Sequence, residues 1–345
     1  MISIPPSTEV RLGHRAYHVA VGQSGHIAAV SQKGSGSILS HDHTACTAFH
    51  TPADASDLTI SANGDLLAIA ARGQVVLIPT ATLRTLKRLG DSIESCQFCA
   101  TGELWSTERL DENSVAIVVW EPETWQVLAR TELTDPFGNS FFKIFSHPDG
   151  AQVVIWAAAG QDGQCLFWAR RHGSDITVEP FVGLEATTPP SFNRSGDRFL
   201  AVCNADELRQ YQFPQGPLLK HMHWPFDDMD NQIGDAVVFV DPTRALLPST
   251  TDRLYLVDLT KMAIADEICI RGHEPKRTSE IYPNLHEDGL CSDLAHLAPL
   301  PAGQILSVHK QIPIRPNEER GDSILTWHLP PSDASPAPSA KRVKR

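Results

Sequence analysis

Four side chains able to ligate a metal, His41, His43, Cys46 and His50, fall within ten residues, and imidazole with thiolate is zinc chemistry. Their spacing matches no common zinc site. His41 and His43 alternate as strand neighbours do and share a face, whereas Cys46 and His50 are assigned to the link that follows, so structural or solvent-facing roles are expected for the set. Cys96 and Cys99 form a lone CxxC inside the strand Glu94 to Phe98, where residues three apart point to opposite faces, and the sequence offers no partner for a redox or zinc role. Asp227, Asp228 and Asp230 cluster as a calcium loop would, but without the alternating Asp/Asn ladder and terminal Glu. A Gly-rich phosphate cradle, a GxSxG elbow and an HExxH helix are all missing from the sequence. The expectation is a protein with no catalytic residues, no metal ligands and no cofactor.

The elements that would position any such groups are announced by a phrase recurring seven times: a small residue, Gly, then an apolar run. Its copies begin at Ser24-Gly25, Asn63-Gly64, Thr101-Gly102, Asp149-Gly150, Ser195-Gly196, Pro242-Thr243, where the Gly is lost, and Ala302-Gly303, at spacings of 38 to 60 residues. Repeats of this length made of short strands are the signature of a β-propeller. Each copy reads as four antiparallel strands, the Gly turn joining first to second; Leu66-Leu67-Ala68-Ile69-Ala70 is the clearest second strand and Val115 to Trp120 the clearest third. The fold expected is all-β, a seven-bladed β-propeller with four antiparallel strands per blade. Residues 293–329 supply three strands of the last blade and Thr8 to Leu12 the missing one, closing the ring through the N-terminal strand and removing open edges. Residues 1–330 form this single domain. The Pro, Ser and Ala-rich residues 331–345 are expected to leave it as a disordered basic tail.

Leu12-Gly13-His14, Val19-Ala20-Val21, Ser24-Gly25, Ile27 to Ser31 and Ser37-Ile38-Leu39 follow one known repeat step by step. On these residues the chain resembles the WD-repeat family. Later copies are degenerate: after the first repeat Gly-His recurs only at Gly272-His273, and the Trp closing the third strand persists at Trp120, Trp168 and Trp327 without the following Asp. The resemblance implies a buried network within a blade of the Gly-His histidine, a second-strand Ser or Thr, a turn Asp and the Trp. His14 and Ser31 match two of those positions in the first blade, and the Asp and Trp are absent.

A chain of 345 residues, 41% apolar, can bury a core of this size. No apolar run approaches the roughly 18 residues that span a bilayer, and the start lacks a signal-peptide layout, so a soluble, cytoplasmic protein is expected. The seven cysteines, with Cys165, Cys203 and Cys269 inside strand-like runs, suit reduced thiols better than a disulfide framework. Net charge is -12, and because the tail holds Lys341, Arg342, Lys344 and Arg345 against Asp333, the body lies near -15. An acidic body disfavours direct nucleic-acid binding. The tail is read either as a nuclear-import signal or tether, or as a passive solubilising end.

In a four-stranded blade the second-to-third turns and the blade-to-blade links share one end. The long insertions all fall there: links at 41–54, 131–139, 222–232 and 274–291, and a turn at 310–321. One face is therefore elaborated. On it Trp224 and Phe226 stand beside Asp227 and Asp228, while Lys276, Arg277 and Tyr282 mark a second loop; aromatics are the usual anchors of interfaces. The plain alternatives are that the aromatics plug the ring and the second loop is solvated. The expected function is a monomeric, non-catalytic scaffold binding protein partners through these seven residues, with no membrane contact. Two rivals are a propeller hydrolase or lactonase, which would need carboxylates and histidines converging at the channel mouth, and a subunit of a nucleic-acid-associated complex reached by the basic tail.

Overall fold

The structure is a computed structural model that describes residues 1–160, 163–181, 188–214, 216–226, 232–234, 236–251, 253–273, 276–277, 290–291, 294–310 and 321–330. Its strands are short and almost wholly antiparallel. The first sheet comprises His18–Val21, Ile27–Val30, Ser35–Leu39 and Cys46–His50. The third runs Phe141–Ser146, Gln152–Ala158, Gln164–His172, Asp175–Pro180, and the fourth Ser191–Phe192, Arg198–Cys203, Glu207–Gln212, Leu218–His223. The fifth holds Val238–Asp241, Arg244–Pro248, Leu254–Asp258 and Ala263–Ile270, with Ile2–Ile4 added in parallel. In the sixth, Leu294–Pro299, Gln304–His309 and Ser323–His328 are completed by Thr8–Arg11.

The second sheet corrects the expected blade plan. Seven strands between Ala55–Ile60 and Val127–Thr134 form one continuous sheet, because Lys87–Phe98 is a single strand of 12 residues. Its first half pairs with Gly73–Pro79 and its second half with Leu104–Asp111. Gly90 (φ 65°) and Ser92 (φ 58°) bend the strand without ending it, and the sheet curls until Ala68, Val75 and Leu77 pack on Cys96, Leu104, Ala116 and Val118. The described strands thus make a propeller of five blades plus one curled seven-stranded sheet, not seven blades of four strands each. The sequence reading failed here because the turn-type residues Gly90, Asp91 and Ser92 bend the strand without ending it.

Packing explains the residue patterns. Second and third strands are covered on both faces by neighbouring sheets, so Ser114–Trp120 and Ile27–Val30 are buried throughout and read as continuous apolar runs. Outer strands such as Leu218–His223 expose most of their residues. One apolar cluster fills each seam, including that between the sixth and first sheets, where Ala16, Ile27 and Leu39 meet Leu306, Val308 and Ile324. The repeated turn glycines, Gly25, Gly64, Gly102, Gly150, Gly196 and Gly303, all have φ between 71° and 88°, the left-handed region that favours glycine. At Gly196 a Cβ would also lie 2.4 Å from the His147 ring.

The expected histidine network of the repeat does not form in the first sheet: His14 bonds Ser37 (2.9 Å), and Ser31 accepts the Ser35 amide. Its Trp–Ser half survives elsewhere. Trp120 donates to Ser106 (2.9 Å) and Trp327 to Ser307 (3.0 Å), each serine lying two residues beyond the tryptophan's partner on the second strand. In the third sheet Trp156 occupies that place, and among the described residues the buried Trp168 Nε1 has no acceptor.

Because Ile2 and Ile4 pack in the fifth–sixth seam and Val10 and Leu12 in the sixth–first seam, deleting residues 1–12 strips two seams at once. At about 1.5–3 kcal/mol for each fully buried aliphatic side chain, the loss should be several kcal/mol. A thermal melt should fall sharply against a chain ending at residue 330; equal melting temperatures would remove the closing strand from the account.

Candidate interaction face and channel mouth

The innermost strands of adjacent sheets are joined by side chains. At three junctions between successive inner strands, one of them inside the curled second sheet, backbone amides donate to a Ser, Thr or Asp oxygen of the inner strand before: Phe98 N to Thr59 Oγ1 (3.1 Å) and Cys96 N to Asp57 Oδ2 (3.3 Å), Ile144 N to Ser95 Oγ (3.0 Å), and Phe239 N to Ser191 Oγ (3.2 Å). Asp57, 3% exposed, also accepts from Ser95 Oγ (2.6 Å) and Leu58 N (3.0 Å), and Lys143 lies 3.5 Å from its other side. Around it stand two histidines from further inner strands. His18 donates to the Ala55 carbonyl (3.0 Å) and His296 to that of Tyr17 (3.2 Å).

Burial pushes the His18 imidazole below its usual range, Asp57 opposes the shift and Lys143 adds to it. Protein surrounds His296 although it keeps some solvent contact, and burial brings it down to about 4, with Lys143, His18 and Lys310 pushing the same way. Four sheets therefore contribute His18, Asp57, Lys143 and His296 to one charged cluster. That is the composition a channel-mouth hydrolase would require. The only carboxylate in it, however, is already held by three donors and a lysine, leaving it positioned as a structural anchor.

The two faces of the ring are bonded differently. On the plain face Gly turns are tied to one another: Ser24 N to Ala62 O, Thr101 Oγ1 to Gly150 O and His147 Nε2 to Gly196 O. On the elaborated face each link is tied to a second-to-third turn: Asp54 N to Gln32 O, Asp135 N to Asn113 O, Trp224 N to Asp206 O and Thr250 N to Gln232 O. The links are shorter than expected, because Cys46–His50 and Val127–Thr134 are outer strands. This also separates the His41 set. Cys46 and His50 sit at opposite ends of an exposed strand, roughly 13 Å apart at 3.3 Å per residue, while His43 is buried in the preceding turn with its ring on the Gly25 carbonyl (3.0 Å). Cys96 and Cys99 lie in different core clusters, and burial pushes both thiols up, so neither is a nucleophile.

Two features of the elaborated face stand out. The first is a cleft of about 570 Å³ lined by Glu94, Arg109, Asp111, Glu112, Asn139, Ser140 and Phe141. Arg109 forms its floor, donating to Glu94 (2.8 Å), to Asp135 (3.0 Å) and to the Ser140 carbonyl while lying over the Phe142 ring. Sequence reasoning missed this clamp, since its members are spread over 46 residues and carry no motif. The second is a triad of rings. Trp224, Phe226 and Tyr255 have centroids 5.3 Å apart in every pair. Trp224 is half-buried on the fourth–fifth seam, Tyr255 is 3% exposed with a hydroxyl that finds no partner among the described residues, and Phe226 is 38% exposed. Thus Trp224 is in part the plug, and Phe226 is what it holds outward. Lys276 and Arg277 pair in an antiparallel ribbon with Leu290 and Cys291. Asp227, Asp228 and Tyr282, like the basic tail, lie outside the described residues.

Asp57→Ala would strand two backbone amides and the Ser95 hydroxyl in the core. It should cost about 2–4 kcal/mol in urea titration; a loss below about 0.5 kcal/mol would show that the suture is dispensable. The histidines set a pH dependence. Below the ordinary imidazole value of about 6.5 the unfolded chain takes up a proton that folded His296 refuses until about 4, so stability should fall as pH drops through that window. His296→Gln should flatten the slope between pH 6.5 and 5.

No protein-family model matches this chain, and no curated protein matches it either. Among solved structures it is similar to the Cps50 (Swd1) β-propeller domain of Myceliophteria thermophila, at 13% identity and a TM-score of 0.63, covering 94% of this chain and 99% of that one. At that identity the likeness speaks for the fold alone: the chain has the β-propeller fold.

Proposed function

We propose that this propeller is a non-catalytic platform that binds a protein partner through its elaborated face. The observation that carries the reading is the ring triad. Phe226 stands exposed on two aromatic rings already fixed by packing, so it can bury apolar area in a partner with little ordering cost. The cleft below Arg109 adds a rigid acidic recess with the exposed Phe141 at its edge, and the neighbouring Asp227 and Asp228 are proposed to favour a partner that presents Lys or Arg beside an apolar group. Fold likeness supports a scaffold in general and says nothing of the partner's identity. The catalytic alternative gains nothing from the channel cluster, whose carboxylate is occupied.

The test is capture from the native host with Phe226→Ser, followed by affinity measurement on the partner recovered with wild type. Loss of a hot-spot aromatic should weaken binding by roughly 30-fold, about 2 kcal/mol, without moving the melting temperature. Trp224→Ala should both weaken binding and destabilise the ring by about 2–4 kcal/mol, since it opens a space in a packed seam. Wild-type affinity in the Phe226 variant would refute this reading of the face.

A further inference from the structure

The antiparallel pair Glu207–Gln212 and Leu218–His223, at the outer rim of the fourth sheet, carries a group of metal-ligating side chains that repeat motifs did not announce. In this register Glu207 lies directly opposite His223, and Arg209 opposite His221. Directly opposed residues share a face, as do residues two apart on one strand. All four side chains therefore project from the same side of the ribbon. A carboxylate oxygen of Glu207 and a ring nitrogen from each histidine lie within 4.8 Å of one another. The imidazoles, with ring centroids 5.5 Å apart, are exposed on a strand that forms the edge of its sheet, whereas Glu207 is buried.

We propose that Glu207, His221 and His223 form a binding site for a borderline divalent cation of the zinc type, open to solvent at its fourth position. Two nitrogens and one carboxylate oxygen on rigid neighbouring strands are the donor set such an ion takes with one position left for water or an incoming group. Tetrahedral bonds of about 2.0–2.1 Å place ligand atoms roughly 3.4 Å apart, so side-chain rotation of about an ångström closes the site and the strands need not move. Arg209 competes for the Glu207 carboxylate, but both of its bonds, from Nε (2.9 Å) and Nη2 (2.6 Å), fall on Oε2, and among the described residues Oε1 accepts none. Oε1 is thus the atom offered to the metal, with Arg209 steadying the carboxylate from behind, as carboxylate ligands usually require. The site closes the strand that leads directly into Trp224, at the elaborated end of the blade. A protein group supplying the fourth ligand would therefore approach beside the ring triad.

The test uses the full chain, free of any purification tag and stripped of metal, titrated with Co²⁺ as a spectroscopic probe and then with Zn²⁺ in competition. One equivalent should bind, with the visible bands of a low-coordinate nitrogen–oxygen site and displacement by zinc. His221→Ala and His223→Ala should each weaken binding by roughly 10-fold or more with unchanged melting temperature, because the two histidines are exposed, and Glu207→Gln should weaken it as much. The melt of the metal-free protein is the control for Glu207→Gln, whose side chain is buried. The proposal is overturned if the wild-type chain takes up no metal, or if the His221→Ala/His223→Ala double variant binds as wild type does, which would place the ion elsewhere in the molecule.

Discussion

A ring of sheets has a weak place by construction. Inner strands of neighbouring sheets face one another across the channel wall without pairing backbone to backbone, so their amides need acceptors from somewhere else. Here the acceptors are the side chains of Thr59, Asp57, Ser95 and Ser191, each on the inner strand one step earlier in the ring. The remaining architecture follows from this suture. It fixes the angle between sheets, which lets one apolar cluster fill each seam and holds the links of one face against the turns of the next sheet. It also explains a buried aspartate in an inner strand with a lysine beside it: Asp57 is the acceptor for three donors, and Lys143 from two inner strands further on lies 3.5 Å from its Oδ1.

The same constraint separates the faces by function. Gly turns on the plain face are consumed by turn-to-turn hydrogen bonds and by close contacts such as Gly196 on His147, which leave little freedom for a partner. Links on the elaborated face are tied to the second-to-third turns, and loops held in this way by a rigid scaffold are where residues can vary at least cost to the ring. Trp224 illustrates the division of labour, since its amide and ring belong to the scaffold while the next aromatic, Phe226, is held out from it.

Much of this was legible in the residues. Gly turns with small or polar neighbours, continuous apolar second and third strands, and an N-terminal strand pairing with the C-terminal one are local signals of turn chemistry and burial. The seven-stranded sheet was not legible, because Lys87–Phe98 bends at Gly90 and Ser92 and continues as one strand across two expected blades. Of the seven residues expected to bind a partner, only Trp224 and Phe226 lie where side-chain geometry bears on the question. The Arg109 clamp and the Glu207, His221 and His223 group went unseen because strand register, not sequence distance, brings them together. His-x-His opposite Glu-x-Arg becomes a signal only once the two strands are known to be partners.

The central claim is that one face of the ring meets a partner. Hydrogen-exchange mass spectrometry of the chain alone and in its captured complex tests it most directly. The account predicts slowed exchange in the turns near Gln32, Asn113 and Asp206 and in the segment around Phe226, with the Gly turns at Gly64, Gly150 and Gly196 unchanged. Protection concentrated on those Gly turns, with the opposite face exchanging as in the free protein, would contradict it.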